Sequence, residues 1–452
     1  MFPRYYDSGT RFRTGSLGPA WTHNFIITAL PNSDAFEGLG VNSPINGASA
    51  IAALFVVFDL FNAETSTSKS LESMLIAAVA QRWLMDELTN NVVAVTQPGF
   101  IEHFMKLADG SYNPPFASGA RLTLDNGAYT YVGKDRTTLS FDSDGNLSTW
   151  RNSAGATLTL TYTGSPAKLT AVTNDFRRQL TFTYTADLLT QVQDDSGRSV
   201  SYLYDSSSNL IGAVDPLGNL TSYAYDAPGR MTTIIQPSFP ATPFITNRYD
   251  SLDRVMTQSY GDGGTWQYFF AGARSEEVDP YGMRRVLYNT PRGKTRLQIQ
   301  DYLGLSLVTT TTFDGLDRVT ETTFPEQNKL AYTYDANSNV LTTTAKAKPG
   351  VPALPDLVTS YVYDPTFNKP VQVPDPRGLV ATLAYDAGGN LASTVADSTG
   401  LRARTTYTYT GAGLPLSVTD PVGTVTSHTS DEFGNRLSTS RACIITTIPL
   451  VA

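Results

Sequence analysis

Apolar and polar residues alternate along most of the chain after about residue 116. In the phrase Tyr-Ala-Tyr-Asp, Tyr223 and Tyr225 stand two positions apart, so in a strand both rings point to the same face of a sheet. Alternation with a period of two is typical of a half-buried β-strand. Because turn residues follow each alternating run, the pattern predicts strand, turn, strand, turn throughout this region.

One phrase recurs along the alternating region, as Tyr-x-Tyr-Asp-x-x-Gly/Ser-Arg/Asn-Leu/Val. Clear copies occupy 202–210, 223–231, 332–340 and 383–391, and weaker copies occupy 248–255, 311–319 and 361–370. With more divergent copies there are about fourteen units at a spacing of roughly 20 to 25 residues, as in proteins built from tandem repeats. A repeat architecture also suits 452 residues, which are too many for one ordinary hydrophobic core.

Each unit has turn chemistry at both ends. In one unit the Asp226 carboxylate is placed to accept backbone N–H groups two residues on, Gly229 to adopt the left-handed conformation, and Arg230 to leave the turn polar. The opposite turns read Asp-Pro-x-Gly, in which proline fixes φ and glycine closes the reversal. These second turns begin at Asp215, Asp279, Asp375 and Asp420.

The residues that define the repeat are the second tyrosine and the aspartate of each phrase, with the glycine and arginine of one turn. We expect them to be structural. They are Tyr204, Asp205, Tyr225, Asp226, Gly229, Arg230, Tyr249, Asp250, Tyr334, Asp335, Tyr363, Asp364, Tyr385 and Asp386.

The first part of the chain has a different pattern. The sequence divides into a pre-repeat segment (1–30), a partly helical insertion or cap (31–115), the repeats (116–440) and a non-repeat tail (441–452). Residues 70–88 predict a helix, with Ser70 as N-cap and apolar residues at helical spacing. Residues 48–62 fit a strand nearly as well as a helix. The insertion either caps the repeat sheet or forms a small separate domain.

The Tyr-Asp phrase, alternating with Asp-Pro-x-Gly, resembles the Rhs/YD-repeat family, and residues 18–25 (GPAWTHNF) resemble the segment upstream of those repeats. The family includes bacterial polymorphic toxins, the shell component of insecticidal toxin complexes and teneurins. The resemblance implies a mainly β fold in which antiparallel hairpins form a curved or spiralling shell, which in the bacterial members encloses a toxic C-terminal segment. The conserved core segment and the toxin of those members are not visible here, so we expect a fragment.

Composition narrows the functions. The 41 acidic and 33 basic residues give a net charge of −8 without a basic cluster, which disfavours nucleic acid as a partner. No apolar run is long enough for a membrane span, and no signal peptide is visible. His23, His103 and His428 lie too far apart for a metal site defined by spacing, and Cys443 has no partner for an internal disulfide. We predict no cofactor.

The sequence therefore predicts a structural shell or scaffold, secreted or at the cell surface, whose partner is an enclosed toxin segment absent from this chain. We expect no enzymatic activity, because aspartates that recur at every turn are a structural device. About twenty-eight strands at roughly 4.8 Å each form a sheet on the order of 130 Å long, which must enclose a cavity, coil or stay open. The alternative is an adhesion module whose tyrosine stripe stacks on surface glycans. That stripe comprises Tyr202, Tyr204, Tyr223, Tyr225, Tyr332, Tyr334, Tyr361 and Tyr363.

Overall fold

The computed structural model describes residues 2–32, 55–56, 75, 78–79, 92–107, 109–115, 117–350 and 354–442. Apart from one short 3-10 helix and five helical positions, the secondary-structure elements in these ranges are all β-strands, so the predicted mainly β class is confirmed. A single-turn 3-10 helix, Ser8–Thr10, is N-capped by Asp7, whose side chain accepts a hydrogen bond from the Gly9 amide at 2.9 Å.

Eight short strands precede the repeats. They are β1 (Arg4–Tyr6), β2 (Thr14–Gly15), β3 (Gly18–Pro19), β4 (Trp21–His23), β5 (Thr28–Asn32), β6 (Val92–Gln97), β7 (Phe100–Lys106) and β8 (Tyr112–Asn113). Strand β1 pairs with β4, β2 pairs with β3, and β5 to β8 form one antiparallel sheet in chain order. A two-residue turn, Pro98-Gly99, joins β6 to β7, and Gly99 adopts a φ of 89° there.

The predicted helical insertion is not confirmed. Most of 33–91, including nearly all of the predicted helix at 70–88 and of the apolar stretch 48–62, lies outside the described residues. Five isolated positions within it are described, and these are helical and exposed: Phe55, Val56, Leu75, Ala78 and Val79. Residues 92–113, which we also assigned to the insertion, are mostly strand.

The repeats begin with a closed ring of 23 strands, in which each strand pairs antiparallel with the strand before it. Its first twelve strands are β9 (Arg121–Asp125), β10 (Ala128–Val132), β11 (Thr138–Phe141), β12 (Leu147–Arg151), β13 (Thr157–Thr163), β14 (Lys168–Asn174), β15 (Gln179–Thr185), β16 (Leu188–Asp194), β17 (Ser199–Tyr204), β18 (Leu210–Val214), β19 (Leu220–Ala227) and β20 (Arg230–Ile235). The other eleven are β21 (Ile245–Tyr249), β22 (Val255–Tyr260), β23 (Thr265–Ala271), β24 (Arg274–Val278), β25 (Arg284–Asn289), β26 (Thr295–Gln300), β27 (Leu307–Phe313), β28 (Val319–Thr323), β29 (Lys329–Tyr334), β30 (Val340–Lys346) and β31 (Leu357–Ser360).

A second, eight-stranded sheet follows the ring. It consists of β32 (Val362–Tyr363), β33 (Pro370–Pro374), β34 (Val380–Tyr385), β35 (Leu391–Ala396), β36 (Ala403–Tyr409), β37 (Pro415–Thr419), β38 (Val425–Ser430) and β39 (Arg436–Ala442). Only Tyr361 separates β31 from β32, and its amide donates to the Leu341 carbonyl at 2.8 Å. The chain therefore passes from ring to second sheet within one extended segment.

The strand ends form two rims. We call the end that carries the Tyr-x-Tyr-Asp turns, such as 205–209, the YD rim, and the end that carries turns such as 215–219 the DPxG rim. Strands in the ring are spaced about 4.8 Å apart, so 23 of them give a circumference of roughly 110 Å and a width of roughly 35 Å. Barrels with fewer strands than this already leave an aqueous interior, and the ring is therefore hollow.

The second sheet lies on the DPxG rim of the first strands. The Arg136 guanidinium donates to the Thr366 carbonyl at 2.7 Å, and the side-chain amide of Asn368 donates to the Lys134 carbonyl at 3.0 Å. Further along, a methyl group built on Gly413 would lie 3.3 Å from the Ala154 side chain. The repeats therefore coil, and the YD rim of the second layer rests on the DPxG rim of the ring. Coiling was one of the outcomes that the strand count left open.

The N-terminal segment, residues 2–32, runs along the YD rim of the ring. The Leu189 amide donates to the Ser16 carbonyl at 2.7 Å, and the Ala29 amide donates to the Gly145 carbonyl at 2.9 Å. Leu17 is fully buried in the largest apolar cluster, which contains residues from both the segment and the repeats. The segment therefore covers part of one rim.

Candidate functional site

The aspartates of the YD turns hold the backbone of their own turns. Asp205 Oδ1 accepts hydrogen bonds from the Ser207 and Asn209 amides, both at 2.9 Å, while Oδ2 accepts from the Asn209 side chain at 2.8 Å. The Asp205 and Asn209 backbones close the five-residue turn, and Ser208 lies between them with a φ of 64°. Asp250, Asp335, Asp364 and Asp386 accept backbone N–H groups in the same way.

The DPxG rim uses the same turn. Asp215 Oδ1 accepts from the Leu217 and Asn219 amides at 2.8 and 2.9 Å, and Gly218 adopts the left-handed conformation with a φ of 85°. The hydrogen bond from the Asn219 side chain lowers the pKa of Asp215 most, and the backbone hydrogen bonds lower it further, because each favours the ionised carboxylate. Aspartates on both rims are therefore bound within their own turns.

Asp226 departs from the interaction that its sequence predicts. Strand β19 continues to Ala227, and Ala227 pairs directly with Arg230 across a two-residue turn. The Asp226 carboxylate accepts from the Arg230 guanidinium at 2.7 and 3.2 Å. Pro228, two positions after Asp226, has no backbone N–H to donate to the carboxylate, so the carboxylate-held form of the turn is not available here. Gly229, at a φ of 68°, is left-handed as expected.

The second tyrosine of each phrase joins neighbouring units. The Tyr204 hydroxyl donates to the Leu189 carbonyl at 2.6 Å, and the Tyr225 hydroxyl donates to the Leu210 carbonyl at 2.8 Å. In each case the acceptor is an early residue of the return strand in the preceding unit. The other hydroxyls that make this contact belong to Tyr249, Tyr334, Tyr385 and Tyr409, at 2.6 to 3.0 Å.

The strand register explains this contact. Between β16 and β17 the paired residues nearest the YD rim are Gln191 and Ser201, so the first residues of β16 and the last residues of β17 lie beyond the paired region. The Tyr204 ring lies beyond it too, and its hydroxyl bonds the Leu189 carbonyl there. Burial raises the pKa of Tyr204 and holds the hydroxyl in its protonated, donating form.

Basic residues at the last position of a YD turn stack on the tyrosine of the following unit. The Arg318 guanidinium lies 4.7 Å from the centre of the Tyr334 ring, and Arg230 lies 5.7 Å from that of Tyr249. Lys369 lies 5.6 Å from the Tyr385 ring. A cation above an aromatic face is attracted to it, so Arg230 does more than keep the turn polar.

The tyrosine of the second layer's first unit is placed differently. Tyr363 ends β32, and its ring centre lies 6.4 Å from that of Tyr361. Asp364 accepts from the Thr366 and Phe367 amides at 2.8 Å, in a turn one residue longer than the others.

Contacts between the N-terminal segment and the YD rim were not predicted. The Trp21 indole donates to the Tyr225 hydroxyl at 2.8 Å, the Tyr6 hydroxyl donates to the Gly229 carbonyl at 2.9 Å, and Arg11 forms an ion pair with Asp253 at 2.5 Å. The GPAWTHNF phrase, which contains Trp21, marked the segment but gave no indication of which units it contacts.

His23 is fully buried where the segment meets the sheet. Its ring lies 4.9 Å from the Phe2 ring and 6.1 Å from the Phe182 ring, and Nδ1 accepts from the Phe25 amide at 3.3 Å. Burial lowers the pKa of His23 to about 3. This neutral histidine packs as a core residue. Among the described residues, no group of three or more His, Cys, Asp or Glu side chains is arranged to hold a metal ion.

Within the described part of the chain, no helix has the length and apolar character needed to cross a membrane.

The RHS Repeat family model matches residues 204–238, which contain the consecutive YD turns at Asp205 and Asp226. The chain contains an Rhs/YD repeat. A search of curated proteins finds no significant match.

Among solved structures, the TcdB2-TccC3 crystal structure matches this Rhs/YD-repeat chain with a TM-score of 0.50 and 13% identity, over 78% of this chain and 21% of that chain. The TcdB2-TccC3-Cdc42 structure has a TM-score of 0.49 and 12% identity, over 85% and 24% of the two chains. A Photorhabdus luminescens Tc holotoxin pore with mutant TccC3 gives 0.39 and 14%, over 75% and 23%. This chain spans about a fifth of the length of these structures, and the first match shows that the fold is shared.

Proposed function

We propose that the chain is a wall segment of a hollow protein shell that encloses a polypeptide. The observation that carries the proposal is the closed 23-strand ring that continues into a second layer. A ring roughly 35 Å across is much wider than its own side chains can fill. The structures similar to this chain include TcdB2-TccC3 and a Tc holotoxin pore, which supports a toxin segment as the enclosed polypeptide.

The proposed role is structural and not enzymatic. The aspartates that might have served in acid–base chemistry are spread around two rims and bonded to the amides of their own turns. Catalytic carboxylates instead work as adjacent pairs with contrasting pKa values. We expect the shell to act outside the cell that makes it, since the proposed cargo is a toxin.

Glycan binding receives less support from the tyrosines. Tyr204, Tyr225, Tyr334 and Tyr385 use their hydroxyls to bond the carbonyls of neighbouring units. Their rings are half-buried between hairpins. A stacking site needs an open ring face, so the stripe serves to join the units.

Protease protection tests the proposal. An unstructured reporter peptide fused after Ala452 should be digested more slowly, by at least tenfold, than the same peptide free in solution, because the wall excludes the protease. Ala154→Trp should restore rapid digestion, since Ala154 lies at the seam beside Gly388 and Gly413. Ser196→Trp is the matched control, because Ser196 has the equivalent position two DPxG turns further along, where the described residues of the second layer make no contact with the neighbouring Gly197.

Equal digestion of the fused and free reporters would contradict enclosure. Hydrogen exchange shows whether Ala154→Trp disrupts the contact between the two layers. If that contact is disrupted and the reporter is still protected, the layered wall does not cause the protection.

A further inference from the structure

A cavity of about 980 Å³ lies between the N-terminal segment and strands β19 to β22. Arg4 and Trp21 border it from the segment, whereas Tyr223 and Asn247 border it from the strands. Small-molecule sites in proteins are concave, with volumes of roughly 300 to 1,000 Å³, mainly apolar walls and a few polar groups that orient the ligand. The cavity has such a volume, and its apolar wall consists of Phe2, Met231, Ile234, Phe244 and Val255 with the Trp21 indole.

Arg4 places a guanidinium at a fixed position in this cavity. Its Nε and Nη2 donate to the Tyr223 hydroxyl at 3.2 and 2.8 Å, and the Tyr223 ring packs edge-on against Trp21 with the ring centres 5.0 Å apart. Tyr223 is buried, so this acceptor is held in place. A guanidinium has five N–H donors. Those of Arg4 that do not contact Tyr223 make no hydrogen bond to a described residue and are free to bind a ligand.

The Arg4 guanidinium has no counter-ion among the described residues. Other arginines at the YD rim do have one, since Arg11 pairs with Asp253 and Arg254 pairs with Asp250. Arg4 is half-buried, and a charge withdrawn from water without a partner costs free energy that an anionic ligand would offset. The cavity therefore favours an anion.

Asp7 limits the charge that the ligand can carry. Its carboxylate also borders the cavity, where it is exposed and accepts a hydrogen bond from the Gly9 amide at 2.9 Å. Like charges repel, so a phosphate group or a second carboxylate on the ligand is disfavoured. One carboxylate also matches the flat guanidinium of Arg4, because the two groups form a pair of parallel hydrogen bonds. The ligand should therefore carry a single carboxylate.

The other polar groups of the cavity indicate what the rest of the ligand is like. Thr221 and Gln236 border the cavity, and their side chains make no hydrogen bond to a described residue. Asn247 and Gln258 are instead bonded to each other at 2.9 Å. Two uncommitted polar groups beside a mainly apolar wall favour a ligand whose body is apolar and makes few hydrogen bonds.

We propose that this cavity binds an organic monocarboxylate with an aromatic or branched aliphatic body, the carboxylate lying on Arg4 and the body against Trp21 and Met231. Free organic acids have this chemistry, and so does an acidic side chain beside an aromatic residue in a peptide. The site is independent of the proposed enclosure, because it lies between a segment and a sheet of the same chain.

Isothermal titration calorimetry of the full chain with phenylpropionate tests the proposal. Phenylpropionamide has the same shape without the charge and should bind at least tenfold more weakly. Arg4→Gln should weaken phenylpropionate binding at least tenfold and leave phenylpropionamide binding unchanged. Arg4→Lys should give an intermediate affinity, because lysine keeps the charge without the planar pair of donors. Tyr202→Phe is the control, because Tyr202 belongs to the same tyrosine stripe as Tyr223 but its buried hydroxyl makes no hydrogen bond.

A second pair of variants tests the cavity without changing Arg4. Thr221→Trp should abolish binding, because Thr221 shares a strand face with Tyr223 and the new indole would fill the cavity. Thr246→Trp is the matched control, since Thr246 precedes the cavity residue Asn247 in β21 and its side chain lies on the opposite face. Circular dichroism and melting temperature should show that all variants remain folded.

A peptide separates the two sources of the carboxylate. If acetyl-Ala-Glu-Phe-Ala-amide binds at least tenfold more tightly than phenylpropionate, and its Gln version does not, the ligand is a polypeptide. If the peptide binds more weakly than phenylpropionate, the ligand is a free organic acid. Equal affinity for phenylpropionate and its amide would overturn carboxylate recognition. Binding that persists in Arg4→Gln or in Thr221→Trp would place the ligand elsewhere and overturn the site, as would the absence of binding by both the acid and the peptide.

Discussion

The Tyr225 hydroxyl makes two hydrogen bonds, and we expect its removal to destabilise the protein. It accepts from the Trp21 indole at 2.8 Å and donates to the Leu210 carbonyl at 2.8 Å, so it links two repeat units and the N-terminal segment. In Tyr225→Phe the ring stays but both partners lose their hydrogen bond. Each buried polar group left unsatisfied costs about 1 to 3 kcal/mol, so the variant should be about 2 to 5 kcal/mol less stable.

Two other tyrosines provide matched comparisons. Tyr334 makes one such bond, to the Val319 carbonyl at 2.7 Å, at a half-buried site that water reaches. Tyr334→Phe should therefore cost about 0.5 to 1.5 kcal/mol. Tyr281 is almost fully exposed, and Tyr281→Phe should change stability by less than about 0.5 kcal/mol.

Urea unfolding followed by tyrosine fluorescence and by far-ultraviolet circular dichroism gives the three values. The order Tyr225, then Tyr334, then Tyr281 is the expected result. If Tyr225→Phe costs no more than Tyr334→Phe, the indole contact contributes nothing and the N-terminal segment is held by other contacts. If Tyr334→Phe is as neutral as Tyr281→Phe, the hydroxyl contacts between units do not stabilise the sheet.

Three further changes test the turns and the buried histidine. Gly229→Ala should destabilise by more than 2 kcal/mol in calorimetry, because its new methyl would lie 2.9 Å from backbone of the N-terminal segment, whereas Gly197→Ala, also left-handed but in open space, should cost only about 1 kcal/mol. Asp335→Ala removes two 2.8 Å bonds to Asn339 and should lower stability by about 1 to 2 kcal/mol in urea unfolding. His23 has a folded pKa of about 3 against 6.5 unfolded, so the unfolded chain alone binds a proton between these values. Stability should fall as the pH falls below 6.5, by up to about 2 kcal/mol at pH 5, and His23→Phe should flatten this part of the pH profile.

Local features of the repeats could be predicted from the sequence because their causes lie within a few residues. Asp205 and Asp215 hold amides two and four positions on, so the letters of the turn determine its shape. The alternation of Tyr202 and Tyr204 likewise determines which face receives the rings. The interaction of Asp226 was mispredicted because Pro228, two positions on, has no N–H to donate, and the chain forms a shorter turn in which Ala227 pairs with Arg230.

A spiralling sheet was expected from the resemblance, but which turns meet in the coil and which units the N-terminal segment covers could not be predicted, because these contacts join distant residues. Trp21 and Tyr225 are 204 positions apart, and Asn368 and Lys134 are 234 positions apart. Which turn meets which depends on the curvature of the sheet, a property summed over more than twenty strands. A short sequence pattern does not determine this total curvature. The same applies to Arg318, whose stacking partner Tyr334 belongs to the next unit.

The chemistry shared by the two rims explains how such a sheet can grow in layers. Turns on both rims are held by an aspartate, and their third residues lie at the tips. A YD turn of one layer therefore contacts a DPxG turn of the other layer through these tips. Small residues at that meeting, as at Gly413 on Ala154, let the backbones approach closely. Larger tips such as Leu217 and Tyr281 are exposed on the DPxG rim. On the YD rim, Trp21 and Arg11 of the N-terminal segment contact Tyr225 and Asp253, so the chain covers part of that rim itself and the two ends of the sheet differ.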